Sequence, residues 1–224
     1  MEFIEGEPLS MIMNTVSPQE SNAATTEAGK ALHVVHSFDL GKAGFFDEHF
    51  TFKPEFTNFG KAWYDYICSA LGSERVQQRL GKALQERAIN LVQSKRAIYK
   101  SITNTTRLIH CDYNPKNIMM RRIASQWRVA AILDWEFAAS GSPLADLGNF
   151  LRFDNELPHG FSEAFVQGYT ANSALLVDNW REIAKLLDLA AMMNFLESQK
   201  ENPKTFRTAV SVIKRTIETL EREP

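Results

Sequence analysis

The sequence contains little of what marks secreted, membrane and nucleic-acid-binding proteins. Its 224 residues include only two cysteines, Cys68 and Cys111, which are too few for a zinc site and indicate free thiols in a reducing compartment. No apolar run approaches the length of about eighteen residues that marks a membrane span. The formal net charge is -2, and the basic residues form no concentrated stripe that would favour nucleic acid or an anionic membrane as a partner.

Two further kinds of segment are missing. The chain has no Gly-x-Gly-x-x-Gly loop and no Gly-Lys-Ser or Gly-Lys-Thr triplet, so neither of these phosphate-cradling patterns is present. The first residues, from Met1 to Glu7, are acidic, whereas a signal peptide begins with positive charge and continues with a long apolar stretch. We therefore expect a cytoplasmic protein with no membrane or nucleic-acid partner.

Hydrophobic periodicity predicts a chain that begins with helices. The composition, 44% hydrophobic and 23% charged, is that of an ordinary globular protein. After an extended or looping start of about a dozen residues, a helix begins at Ser17-Pro18, with serine as its N-cap, and runs to about Ser37. A long ordered loop then covers residues 39–57. Further helices are predicted from Phe59 to Leu71 and from Val76 to about Tyr99.

The middle of the chain has a different character. Three short segments there are compatible with β-strands: Arg107–Ile109, Asn117–Met120 and Trp127–Leu133. Helical spacing then returns near residues 144–153, 160–170, 179–199 and 203–221, and the last of these has a narrow apolar stripe typical of core packing. The pattern predicts an α+β fold that is mainly helical, with a small β-hairpin insert, and we expect the chemistry to lie on that insert.

Three polar side chains around the predicted hairpin form the strongest candidate site. A hairpin of residues 118–120 with residues 129–133 would bring Asn117 and Asp134 to the same end, next to the loop that contains Asp112. Mg²⁺ suits such oxygen ligands, since it is usually held by one or two carboxylates together with water and phosphate oxygens. Asp112 could then deprotonate an attacking hydroxyl, a division of roles that matches phosphoryl transfer. The simpler alternative is that these residues only cap turns and a helix.

Three motifs resemble those of the aminoglycoside phosphotransferase and choline kinase-like family, whose members are related to protein kinases. They are His110-Cys111-Asp112 with Pro115 and Asn117, then Leu133-Asp134-Trp135-Glu136, and then Gly141-Ser142-Pro143-Leu144-Ala145-Asp146-Leu147. The likeness covers nearly the whole chain, because the first residues resemble the family's hinge between lobes. It implies a protein-kinase-like C-terminal lobe at residues 17–224, preceded by a hinge or linker at residues 1–16.

The resemblance implies a role for each residue of these motifs. Asp112 would be the catalytic base, and Asn117 and Asp134 would bind Mg²⁺. His110 and Asp146 would be structural supports of the catalytic loop.

Two further sets of residues are implied by the resemblance to contact the reactants. The backbone of Glu2, Phe3 and Ile4 would lie against the adenine of ATP. Trp135 and Glu136 are candidates for the substrate pocket, although simple packing explains Trp135 equally well.

Several other polar residues have weaker claims. Four acids in the helical region could receive a cationic substrate, although most exposed acids are only solvated: Asp154, Glu156, Asp188 and Glu197. His33 and His36 lie one helical turn apart, but without a third ligand nearby a core or surface role is favoured over a metal site.

Two departures from the family pattern bear on function. Cys111 stands where the family usually has glycine, which alters loop packing without removing a catalytic group. If the chain begins at the hinge, the N-terminal nucleotide lobe is missing, and with it the phosphate-covering loop and the lysine that holds the phosphates. We therefore expect weak or absent ATP binding and very poor kinase activity in this chain alone. We also expect a homo-oligomer formed through the surface that the missing lobe exposes.

The predicted function is that of the C-terminal lobe of an ATP-dependent phosphotransferase. It would move the γ-phosphate to a hydroxyl of a small molecule, such as an aminoglycoside, an amino alcohol or a sugar-like compound, with Mg²⁺ as cofactor. One alternative is a catalytically silent, truncated lobe that binds a small molecule or another protein. A second is a metal-dependent phosphoesterase using Asp112 and Asp134, a class that usually needs more His and Asp ligands than this sequence supplies.

Overall fold

The computed structural model of the protein describes residues 4–47, 49, 51, 52, 58–102, 105–172 and 176–222. Helices account for most of these residues: α1 (Leu9–Thr15), α2 (Pro18–Ser37), α3 (Phe59–Leu71), α4 (Glu74–Leu80), α5 (Lys82–Ser94), α6 (Arg96–Ser101), α7 (Leu144–Phe150), α8 (Phe161–Thr170), α9 (Trp180–Glu197) and α10 (Pro203–Leu220). The strands are short: β1 (Glu7–Pro8), β2 (Gly44–Phe45), β3 (Arg107–Ile109), β4 (Ile118–Ile123), β5 (Gln126–Ile132) and β6 (Ala139–Gly141). They form two antiparallel three-stranded sheets, ordered β1-β4-β5 and β2-β6-β3. The mainly helical α+β class is confirmed.

The predicted boundaries of α2 are confirmed. The Ser17 side chain accepts a hydrogen bond from the backbone N–H of Glu20 at 3.3 Å, and Pro18 begins the first turn. This is the usual chemistry of a helix start, because serine replaces a missing backbone acceptor and proline needs no acceptor at all. The apolar face of α2, which includes Ala28 and Leu32, is fully buried, and the helix packs most extensively against α8.

The predicted extended start is correct for β1 and wrong for the residues that follow. Helix α1 occupies that region, and Leu9, Ile12 and Met13 are buried on one face of it at helical spacing. Seven residues are too few to form a helix on their own, so tertiary packing decides the conformation. The division of the chain at residue 16 stays a prediction, although β1 pairs with β4 and α1 joins the same core as α2.

The long helix predicted from Val76 to Tyr99 is three helices, α4, α5 and α6. Gly81 interrupts it with a φ of 81°, a left-handed value that a helix interior does not accommodate, and its N–H closes α4 on the Gln77 carbonyl at 2.8 Å. A second break follows at Lys95, between α5 and α6.

The predicted hairpin is confirmed as β4 and β5. Ile118 lies opposite Ile132, and a register irregularity occurs between Met119 and Met120. The other sheet was not predicted. Its central strand, β6, is three buried residues with Ser140 in the middle, and such a short segment carries no alternating pattern.

Two apolar clusters form the core. One is built mainly from α3, α5, α9 and α10, and the apolar stripe of α10 packs into it as the sequence predicts. The other is built mainly from α1, α2, α8 and the start of the hairpin, and α7 contributes residues to both. No helix within the described ranges combines the length and the apolar composition needed to cross a bilayer.

The close approach of α2 and α8 depends on glycine. A Cβ atom added at Gly168 would collide with the carbonyl oxygen of Thr26, and one added at Gly29 would collide with that of Phe165. Backbone atoms cannot move aside as a flexible side chain can, so the helices would have to separate.

We expect Gly168→Ala to lower the free energy of unfolding by about 1–3 kcal/mol, as overpacking in a closed interface does. The matched control is Gly72→Ala, because a Cβ there meets only ordinary contacts, the nearest at 3.4 Å. Urea denaturation of both variants measures the difference. Equal stabilities for the two variants would contradict the tight α2–α8 contact.

Candidate functional site

The predicted site lies where the β3–β4 loop meets the end of β5. The Leu133 N–H donates to the Asn117 carbonyl at 2.8 Å, which extends the hairpin by one bond beyond Ile118 and Ile132. Asp134 is the next residue, exposed and in the left-handed conformation with φ and ψ both 59°. The hairpin register therefore brings Asn117 and Asp134 to the same end of the sheet.

The Asp112 carboxylate is held by two side-chain amides. Asn117 Nδ2 donates to Asp112 Oδ2 at 2.8 Å, and Asn114 Nδ2 donates to Oδ1 at 3.0 Å. Both bonds fix the carboxylate in the loop, while the several lone pairs of its two oxygens leave further acceptor capacity. Because Asn117 uses its NH₂ group on Asp112, its Oδ1 oxygen is the atom left for another partner, such as a cation.

Asp146, at the start of α7, holds the backbone of the same loop. Its carboxylate is fully buried and accepts hydrogen bonds from the backbone N–H groups of His110 and Cys111, each at 2.7 Å. His36 Nε2 lies 3.0 Å from Asp146 Oδ2, and His36 Nδ1 lies 2.9 Å from the Tyr169 hydroxyl. A buried carboxylate is tolerated because several donors surround it.

His36 and Tyr169 belong to this network, although no sequence pattern indicated it. His36 is 110 positions from Asp146, and its spacing from His33 pointed only to a core or surface role. Burial and then the nearby Asp146 carboxylate raise the pKa of Tyr169, so its hydroxyl keeps its proton and remains a donor.

The His110 ring links the loop to the end of β5. Its Nδ1 lies 3.2 Å from the backbone N–H nitrogen of Asp112 and must accept that proton, so Nε2 carries the ring proton and donates to the Leu133 carbonyl at 2.7 Å. The ring is fully buried and packs on Trp135 with 4.6 Å between centroids. His110 thus links Leu133, the residue before Asp134, to the backbone of Asp112, the candidate base.

Cys111 has a left-handed backbone, with a φ of 63°. A side chain is strained in this conformation, which explains why the family that the motifs resemble usually has glycine at this position. Burial, and then the charges of Asp146 and Asp112, raise the pKa of the Cys111 thiol well above its usual range. The thiol is therefore neutral near pH 7, which does not suit a nucleophile.

A cleft of about 610 Å³ opens beside Asp112. Its described walls come from the β2 region, the loop that contains Asp112, the segment between β5 and β6, α3, the region of α7, and α9: Phe45, Ala62, Trp63, Tyr66, Cys111, Asp112, Phe137, Ala145, Asn149, Arg152, Leu187, Asp188, Ala190, Ala191, Asn194 and Phe195. Its volume lies within the usual range of small-molecule sites. Trp135 and Glu136 do not line it; Trp135 Nε1 donates to the Ile132 carbonyl at 2.8 Å, and Glu136 is exposed. Phe137, the residue directly after that motif, lines the cleft.

A buried ion pair in the cleft wall was not predicted. Arg152 donates from Nε to Asp188 Oδ2 at 2.9 Å and from its terminal NH2 nitrogen to Oδ1 at 2.7 Å. Both side chains are less than a tenth exposed. Burial lowers the pKa of Arg152, but the Asp188 charge and hydrogen bonds offset this and leave the pKa raised. The partners are 36 positions apart in the chain, a separation that sequence periodicity does not reveal.

Among the described residues there is no cluster of three or more His, Cys, Asp or Glu side chains able to hold a metal ion. The oxygen donors at the hairpin end are Asn117 Oδ1 and the Asp134 carboxylate. One amide and one carboxylate are a plausible protein share for Mg²⁺, which takes its remaining ligands from water and phosphate.

Comparison with known proteins gives a consistent result. The sequence matches the model of the phosphotransferase enzyme family, APH, over residues 1–186. No curated protein matches it. The fold is similar to that of aminoglycoside phosphotransferase APH(4)-Ia, solved as a thermostable mutant in a ternary complex with AMP-PNP and hygromycin B. That match has a TM-score of 0.70 and 15% identity, and it covers 99% of this chain and 71% of that one.

Two further solved structures share the fold. A putative aminoglycoside phosphotransferase from Ralstonia eutropha matches with a TM-score of 0.63 and 15% identity, over 99% of this chain and 72% of that one. The choline kinase LicA from Streptococcus pneumoniae matches with a TM-score of 0.64 and 15% identity, over 97% of this chain and 69% of that one. The expectation of a missing N-terminal lobe is not confirmed by these matches.

Asp146→Asn should lower the free energy of unfolding by about 1–3 kcal/mol, because an amide cannot accept on both sides and leaves a buried donor unpaired. The control is Asp178→Asn, where the carboxylate is exposed and the expected change is about 0.5 kcal/mol or less. Thermal unfolding of both variants measures the effect. An unchanged melting temperature for Asp146→Asn would mean that its carboxylate does not hold the loop.

The strain at Cys111 predicts an order of stability among its variants. Cys111→Gly should be tolerated, whereas Cys111→Val should lose about 1–3 kcal/mol because a β-branched side chain is disfavoured at positive φ. Cys68→Val is the matched control, since Cys68 lies in α3, where the helical backbone accepts valine at small cost. Chemical denaturation of the three variants tests the order, and equal losses for the two valine variants would contradict it.

Proposed function

Since the chain belongs to the phosphotransferase enzyme family APH, we propose that it transfers the γ-phosphate of ATP to a hydroxyl group of a small molecule. The observation that supports this best is the hydrogen bond between Asn117 and Asp112 at the end of the hairpin that leads into Asp134. It supports a role for Asp112 as base and for Asn117 and Asp134 as metal ligands, and Asp112 lines a cleft of suitable size.

Asp112 is the proposed catalytic base. The two amides that hold it occupy one position on each carboxylate oxygen, and the remaining lone pairs can accept a proton from a substrate hydroxyl in the cleft. The hydroxyl oxygen would bond to the γ-phosphorus as the bond from phosphorus to the β-phosphate oxygen breaks, and its proton would pass to Asp112. Phosphoryl transfer depends mainly on positioning and on neutralising charge, so the part of Asp112 would be to orient the hydroxyl and accept its proton.

Asn117 and Asp134 are the proposed Mg²⁺ ligands. Asn117 Oδ1 remains after its NH₂ group has bonded to Asp112, and the exposed Asp134 carboxylate is free to take a cation from solution. The ion would supply positive charge to the phosphates of the nucleotide. The proposed supports of the loop are His110 and Asp146, which contact its backbone and not the reactants.

The nucleotide contacts remain a proposal. Of the three residues expected to lie against adenine, Glu2 and Phe3 fall outside the described residues, and Ile4 is 36% exposed. Matched aminoglycoside phosphotransferase structures were solved with AMP-PNP and with ADP, which supports ATP as the donor. The weak activity expected of this chain alone has no support in the comparisons and stays a prediction, as does the homo-oligomer.

The proposal is tested by incubating the protein with Mg²⁺, γ-labelled ATP and a panel of hydroxyl compounds. We expect labelled product, and we expect Asp112→Asn to lower its rate of formation by about 10²- to 10⁴-fold, the usual contribution of a general base. Asp65→Asn, an exposed change on α3, is the control and should keep the rate. Melting curves of both variants establish that they are folded.

Each other outcome has a definite meaning. Turnover that survives Asp112→Asn would refute the assignment of Asp112 as base. Absence of both turnover and Mg-ATP binding would favour the alternative of a silent lobe that only binds a small molecule or a protein. Efficient, Asp112-dependent turnover would contradict the expectation of weak activity.

A further inference from the structure

The walls of the cleft are mostly apolar. Aromatic rings are contributed by α3, by the β2 region and by α9, and Phe137 adds another next to the metal-binding end. Trp63 is already engaged within the wall, since it stacks on Phe59 with 4.0 Å between centroids and on Phe45 with 5.8 Å. A surface of this kind favours a ligand that buries apolar area and gives few hydrogen bonds to charged groups.

The described walls offer little uncompensated negative charge. The charged residues that line the cleft are Asp112, Arg152 and Asp188. Arg152 and Asp188 neutralise each other through two hydrogen bonds, and the arginine also places a cation in the same wall. Asp112 is then the one lining carboxylate without a cationic partner, and the proposed reaction assigns it to the hydroxyl.

The other three acids that could receive a cationic substrate do not themselves line the cleft, although Glu197 contacts Tyr66, which does. Glu156 pairs with Arg215 at 2.8 Å. Glu197 contacts the Tyr66 hydroxyl and, after burial, contributes to raising the pKa of Tyr66. Asp154 lines a separate small pocket together with several basic side chains. A ligand with several ammonium groups would lose much of its hydration in the cleft without finding carboxylates to replace it.

Asn149 supplies a specific polar anchor. It lies on α7 one turn from Ala145, is 5% exposed, and lines the cleft. Its Oδ1 atom is buried and has no hydrogen-bond partner among the described residues. An unpaired buried acceptor is costly, so a ligand O–H group would gain affinity if the Asn149 side chain turned its amide oxygen, now exposed by less than 1 Å², toward the cleft.

We propose that the substrate is an uncharged, largely apolar hydroxyl compound with a ring system, and not a polycationic aminoglycoside or a quaternary amine. The inference rests on the proposed function, because it treats the cleft beside Asp112 as the acceptor site. It narrows the range of acceptors that the sequence left open, and it follows from the wall chemistry alone.

Binding without nucleotide tests the inference directly. Calorimetry would compare 2-(2-naphthyl)ethanol, choline and hygromycin B on the purified chain at low and high sodium chloride. We expect the naphthyl alcohol to bind at least about tenfold more tightly than either cation. Its affinity should hold or rise with salt, because salt screens charge and does not weaken apolar contacts.

A charge introduced into the wall should reverse this preference. Ala191, on α9, lines the cleft. At low salt, Ala191→Asp should therefore lower the affinity for the naphthyl alcohol and raise the affinities for choline and hygromycin B, each by about tenfold. Ala171→Asp, an exposed change after α8, adds the same charge away from the cleft and should alter none of the three affinities. Melting curves establish that both variants are folded.

The outcomes separate this inference from the proposed function. Tighter binding of choline or hygromycin B to the unmodified chain, or no binding of the naphthyl alcohol, would overturn the inference. Asp112-dependent phosphorylation of a cationic compound would overturn it while leaving the proposed function intact. Preferential binding of the naphthyl alcohol together with turnover that survives Asp112→Asn would support the inference and count against the proposed function alone.

Discussion

The buried carboxylate of Asp146 is the interaction on which the candidate site depends. It lies at the start of α7, yet it accepts from the backbone of His110 and Cys111, which precede it by 36 and 35 positions, and contacts His36 from α2. A buried carboxylate has no water around it and therefore requires these hydrogen-bond donors. The same hydrogen bonds hold the donor groups in place. The conformation of the loop that carries Asp112, including the strained backbone of Cys111, is therefore determined from outside the loop.

The second constraint is the hairpin register. Side chains alternate along a strand, so a slip of one residue between β4 and β5 would move Asn117 away from Asp134 and expose Ile118, which is fully buried. The hydrogen bonds from His110 to Leu133 and from Leu133 to Asn117 extend the pairing beyond the sheet. The register that buries Ile118 is thus also the one that the proposed Mg²⁺ site requires.

Much of the fold could be predicted from local patterns in the sequence. Ser17-Pro18 determines the start of α2 by itself, and the apolar spacing of α10 identifies its buried face, because both depend on neighbours within a few positions. Helix α1 and strand β6 could not be predicted in the same way, since seven and three residues acquire their structure from distant partners. For the same reason the motif residues were found from sequence while His36 and Asn149, which have no motif, were not.

The charged residues show more clearly that sequence does not predict contacts between distant positions. From the sequence, Asp154, Glu156, Asp188 and Glu197 could receive a cationic substrate, although solvation was the favoured interpretation. In space, Asp188 and Glu156 are paired with arginines, and Glu197 contacts a tyrosine hydroxyl. Among the described walls, the cleft is mostly apolar because Asp188 is paired with Arg152 and the other three acids do not line it, and an arrangement of this kind depends on tertiary structure. Substrate preference in such a site is decided by which charges are left unpaired, a property that composition does not contain.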